Sequence, residues 1–195
     1  MNISSEPTAS RVDVVRHREA LLAAAADELS RNPEASMADV AQAADLTRAT
    51  LYRHFSNRQS LLKAIEAEAL SRASEALLGC RLEEGSALDV LRRVIGSLSK
   101  HGMRFRIILM RGPDMNTRFL TQREQVFSPL IEVVKRGQRE GDIRQDVSPE
   151  WIVLAMSSLL MSAVRSSPPV AKSDTALADL VFNTLVGGIA RHDSA

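Results

Sequence analysis

One cysteine, Cys80, stands in the 195-residue chain, so no intrachain disulfide can form and a reducing compartment suits it. Aromatic residues are scarce at 4%. A chain so poor in rings, and rich instead in Ala, Leu and Arg, favours helices over sheets. No 18 apolar residues run together, which argues against a membrane-spanning helix. Met1 to Ser10 is polar, with no apolar stretch of signal-peptide type, so a cytoplasmic protein without membrane contact is expected. An excess of one charge is missing too: 25 Lys and Arg against 24 Asp and Glu leave +1 overall. No Gly-rich phosphate loop, nucleophile elbow or catalytic carboxylate pair is recognisable. The four histidines, at 17, 54, 101 and 192, lack metal-ligand spacing. These gaps argue against an enzyme, a cofactor and a metal centre.

What is present is ordinary globular composition, 45% hydrophobic and 25% charged, with enough length to bury a core. The first 65 residues balance eight cations against eight anions, but from Asp45 to Lys63 four cations face one anion. Any attraction for phosphate is concentrated there.

Apolar residues recur at helical spacing throughout, and no stretch alternates with period two, so an all-α fold of about nine helices is expected. Residues 1–12 read as a disordered arm. A first amphipathic helix runs from Val14 to Ser30 and ends at Asn32-Pro33. Ser36 caps a short helix, Met37 to Ala44; Asp45 makes a turn; Thr47 caps a second, to about Phe55. Ser56-Asn57 breaks the pattern, and a long helix starts at Gln59 toward Gly79. Further helices are expected at 86–102, 103–110, 117–140, 149–166 and 175–192, separated by turns at Gly85, Gly112-Pro113, Gly141-Asp142 and Pro168-Pro169. The expected domains are 13–58 and 59–195.

The informative run is Ser36 to Leu62, SMADVAQAADLTRATLYRHFSNRQSLL. Two short helices across a tight turn make a helix-turn-helix. Val40, Ala41 and Ala44 must meet Leu46, Leu51 and Phe55, with Ala41 small enough to let the helices cross. That leaves Arg48, Ala49, Thr50, Arg53 and His54 outward, a short cationic face suited to a major groove.

This run resembles the TetR family of bacterial repressors through Thr50, Leu51, Tyr52, His54, Phe55 and Arg58. The resemblance covers about 45 residues, from the first helix through Leu62. It implies an N-terminal three-helix DNA-binding domain and a C-terminal helical domain for ligand binding and dimerisation. It implies that Ser36, Thr47, Tyr52, His54 and Arg58 contact DNA, the last four through phosphates. Arg48, Ala49, Thr50 and Arg53 would face base edges. The family commonly places Gly where this chain has Asp45, a residue that tolerates the left-handed conformation. Its usual Lys at the motif's end is Arg58 here.

The resemblance further implies a homodimer on a pseudo-palindromic double-stranded operator, released by a small hydrophobic effector. The dimer interface would use Ile152, Met156, Leu159, Leu160, Ala163, Leu177, Leu180, Val181, Leu185 and Ile189, although the same residues suit an internal core. Gly187 and Gly188 would permit close approach. Phe105, Leu109, Met110, Phe119, Val126, Phe127, Leu130 and Trp151 are either plain core or the effector's pocket, with Arg104, Arg106, Arg111 or Arg123 available to an anionic group. A helical adaptor binding protein, or a catalytic helical protein, are the competing readings of the bare helix pair.

Overall fold

The computed structural model describes residues 11–102, 117–166 and 173–189, and these form nine helices and no strand. In chain order they are α1 (Arg11–Arg31), α2 (Met37–Ala43), α3 (Arg48–His54), α4 (Arg58–Leu78), α5 (Ala87–Gly102), α6 (Thr117–Phe127), α7 (Pro129–Glu140), α8 (Pro149–Ser166) and α9 (Asp174–Ile189). The fold is all-α. The helix expected at 103–110 lies outside the described residues.

Compactness divides the chain into 1–68 and 69–195, a division inside α4. It falls beyond the expected 58/59 boundary because Leu61, Leu62 and Ile65, in the first turns of α4, are buried within the first unit. In that unit α1 packs on α2 and α2 on α3. Leu22, Ala25, Ala26 and Leu29 form the α1 stripe, at the i, i+3, i+4, i+7 spacing that puts side chains on one helix face.

The second unit is organised around α5, which packs against α7, α8 and α9. Its buried stripe is Val90, Leu91, Val94, Ile95 and Leu98, while Arg92, Arg93 and Lys100 face outward. Burying each Leu or Ile contributes on the order of 1.5–3 kcal/mol, so this stripe is the main anchor of the unit. The α5–α7 crossing is close at Gly137, where a Cβ would come 2.5 Å from Ala87 Cβ and 2.8 Å from Ile143 Cδ1. Only glycine fits there.

Three expectations are corrected. The helix expected over 117–140 is two helices, because Pro129 has no N–H to return to the Gln125 carbonyl. The Ser128 hydroxyl donates to that carbonyl instead, at 2.8 Å. Six residues expected at a dimer interface (Ile152, Met156, Leu160, Leu177, Val181 and Leu185) belong to the unit's own core. Leu159, Ala163 and Leu180 are half-buried, and the Ile189 side chain lies outside the described residues. Both helices are apolar round most of their circumference, and the intramolecular core takes the bulkier stripe. Finally, Trp151 does not join Phe119, Phe127 and Leu130: it is 61% exposed while those three are buried. Val126 is half-buried, and Phe105, Leu109 and Met110 lie outside the described residues.

Candidate nucleic-acid interface

Local hydrogen bonds set both short helices of the first unit. At the start of α2, Ser36 Oγ accepts from Asp39 N at 3.3 Å, and the Asp39 carboxylate accepts from Ser36 N at 2.8 Å. This capping box satisfies two backbone donors reciprocally. The backbone N–H of Ser36, and then its hydroxyl, hold the Asp39 carboxyl below its usual range.

The turn that follows is closed by two bonds: Leu46 N to Ala41 O at 2.8 Å and Asp45 N to Gln42 O at 3.1 Å. That pair is a Schellman motif, which needs a left-handed residue between them. Asp45 supplies it, with φ 53°. The turn expected from Asp45 in place of glycine is therefore present, and it aims the chain directly into α3.

Thr47 is the N-cap of α3: its Oγ1 accepts from Thr50 N at 3.2 Å. Thr47 Oγ1 also lies 2.9 Å from Thr50 Oγ1, which accepts from Arg53 Nη2 at 3.3 Å. Thr47, Thr50 and Arg53 thus form a polar string along one side of the helix. Leu51 and the C-cap residue Phe55 are its buried anchors, at 0% and 4% exposure. The Arg18 guanidinium sits 5.9 Å from the Phe55 ring.

The remainder of α3 faces outward. Arg48, Ala49, Tyr52, Arg53 and His54 are exposed, as are Thr47 and Ser36, and Thr50 is half-buried. Arg48 makes no hydrogen bond or ion pair among the described residues. Its donors are open to an incoming acceptor.

Arg58 differs from the others. Its Nη1 and Nη2 donate to the backbone carbonyls of Ala35 and Pro33 in the α1–α2 connection. The guanidinium therefore clasps the base of the motif, a role that local sequence did not reveal because the partners are backbone atoms. Asn57, read beforehand as a helix breaker, caps α4: its Oδ1 accepts from Ser60 N at 2.9 Å, and Ser60 Oγ accepts from Asn57 N at 3.2 Å. An Asn followed three residues later by Ser is the signal that marked it.

Residues 21–65 match the family model for bacterial regulatory proteins of the tetR family. Over 138 residues the chain is 25% identical to the HTH-type transcriptional regulator NfxB of Pseudomonas aeruginosa, covering 69% of this chain and 74% of NfxB. Over 179 residues it is 24% identical to the HTH-type transcriptional repressor LfrR of Mycolicibacterium smegmatis, covering 89% and 90%. The solved structure of LfrR in complex with proflavine superposes with a TM-score of 0.74 at 22% identity, over 92% of this chain and 99% of that one. The regulator PfmR from Thermus thermophilus gives 0.68 at 22% identity, over 88% and 99%.

Proposed function

This chain belongs to the TetR family of bacterial transcriptional regulators, and from that premise we propose that it is a homodimeric repressor released from a pseudo-palindromic operator by a small, largely hydrophobic effector. The observation that carries the DNA reading is the outward face of α3. Arg48, Ala49, Tyr52, Arg53 and His54 are exposed together while Leu51 and Phe55 hold the helix from behind.

In this reading Arg48 reads a base edge, since a guanidinium fork matches guanine O6 and N7. Ala49, Thr50 and Arg53 border the same bases. Thr47, Tyr52 and His54 meet phosphates, and Ser36 offers its hydroxyl at the start of α2. Arg58 supports the interface by holding the α1–α2 connection. Two such faces, one per protomer, sit about one turn of duplex apart.

The dimer face assigned to α8 and α9 is the side left outward by the core, including Ser158, Ser162, Asn183, Thr184 and Gly187. We assign the effector to the second unit; the related LfrR has been solved in complex with a small molecule, proflavine. Residues of α4 belong to both units, so α4 is the element through which effector binding lowers operator affinity. The effector shifts that equilibrium only by its differential affinity for the two states. No helix among the described residues is long and apolar enough to cross a membrane, and we place the protein in the cytoplasm with its DNA.

Selection of bound duplexes from a random pool with the purified protein tests the reading. An inverted repeat is expected among the winners. A protein that retains no duplex even at low salt does not have this function.

A further inference from the structure

We infer that the effector is an organic anion, an apolar body carrying one carboxylate-type group, and that it is held by Arg123 in the groove between α6, α7 and α8. This inference rests on the reading above that an effector exists. The groove measures about 440 Å³ and is lined on its apolar side by Phe127, Ile131, Val153 and Leu154. That size suits a small organic molecule.

Arg123 lines the groove and is only 8% exposed. Its one hydrogen-bond partner among the described residues is Met161 Sδ, 2.9 Å from Nη1, and a thioether is a weak acceptor. No carboxylate among the described residues lies within ion-pair distance of it. Burial accordingly pulls the Arg123 pKa down, and the Glu124 charge offsets that only in part. A guanidinium stays protonated in a protein, so the side chain carries a desolvated charge that no described carboxylate pairs with directly. That arrangement costs stability, and an incoming carboxylate removes the cost by accepting two parallel N–H bonds.

The rim decides which anion. Glu124 and Glu150 border the groove and are exposed. Two carboxylates there repel a dianion such as a phosphate monoester, whereas a monoanion meets Arg123 from the apolar side. A cationic effector drawn by the rim is the competing outcome.

Three probes of one shape separate these cases: 2-naphthoate, 2-naphthylmethanol and 2-naphthylmethylamine, with charge −1, 0 and +1. Calorimetry on the full-length protein is expected to show naphthoate binding roughly tenfold or more tighter than the alcohol. Arg123→Met abolishes that preference and raises the melting temperature of the unliganded protein, while Arg123→Lys keeps part of the preference. The inference is overturned if the amine binds best, if none of the three binds at millimolar concentration, or if Arg123→Met keeps the preference for the acid. It is also overturned if Arg123→Met changes the association state and not the ligand preference, since the partner of Arg123 would then be a second copy of the chain. Retention of selected operator duplex is measured alongside. A naphthoate that fills the groove without releasing DNA sinks the effector reading and leaves the anion site standing. A protein that ignores naphthoate yet holds its operator does the reverse.

Discussion

Arg58 donates to the backbone carbonyl of Ala35, 23 residues earlier in the chain, and so ties the first turn of α4 to the loop that launches α2. With the second donation to Pro33, one side chain satisfies two part-buried carbonyls. Arg58→Ala leaves both without that donor, and is expected to cost about 1–3 kcal/mol of first-unit stability. Denaturant unfolding of the full-length protein measures it. The logarithmic salt slope of DNA binding should change by well under one, the value about expected for a lost phosphate contact. A full unit of slope with unchanged stability would return Arg58 to the phosphate backbone.

Arg48 is the opposite case, exposed and without a partner among the described residues. Arg48→Ala should leave stability within about 0.5 kcal/mol of the parent. Discrimination at one base pair of each half-site should fall by about 1–3 kcal/mol. Competition binding against single-base operator variants reads this out. A uniform loss across every position would make Arg48 a phosphate contact.

Acid should loosen α2. The Asp39 carboxyl titrates below its usual 3.8 because the Ser36 backbone N–H, and next the Ser36 hydroxyl, favour its charged form. A carboxyl depressed in the folded state contributes stability that is present above the unfolded pKa and disappears as pH falls through the folded one. The loss therefore lies below about 3.8. Carboxyl NMR should show the Asp39 midpoint moving upward in Ser36→Ala; an unmoved midpoint would remove the hydroxyl from the account.

Burial separates core from interface on α8 and α9. Met156 is fully buried, and Met156→Ala should destabilise the second unit by about 2–5 kcal/mol. Gly187 is exposed, and a Cβ there finds no atom within 4 Å. Gly187→Arg should leave the protomer folded and convert the dimer to monomer in light scattering. A dimer that survives this change uses another face.

Where residues act through helical period and local caps, they were legible in the sequence. Ser36, Thr47 and Asp45 could be placed because capping and left-handed turns depend on neighbours three or four positions away. The outward set on α3 followed from placing Leu46, Leu51 and Phe55 inward, with Thr50 half-buried rather than fully exposed. Less was legible where apolar residues surround a helix. On α8, Ile152 and Leu154 look alike as letters, yet one is 1% and the other 39% exposed. Only packing against α5, α7 and α9 sets that phase. The clasp made by Arg58 was hidden for a related reason, since it depends on an atom far along the chain, Ala35 O. Arg123 was one of four arginines read as available to an anion, and only its burial beside Met161 Sδ singles it out. Pro129 is a readable helix-start signal, but the helix expected over 117–140 ran straight through it.

The slender attachment of α3 has one more consequence. Of its seven residues, only Leu51 is fully withdrawn from solvent, so nearly every position that could meet a base can change without disturbing the fold. Operator preference is thereby separable from foldability. A chain built this way can acquire new target sites by surface substitution, retaining the same caps, the same turn and the same clasp from Arg58.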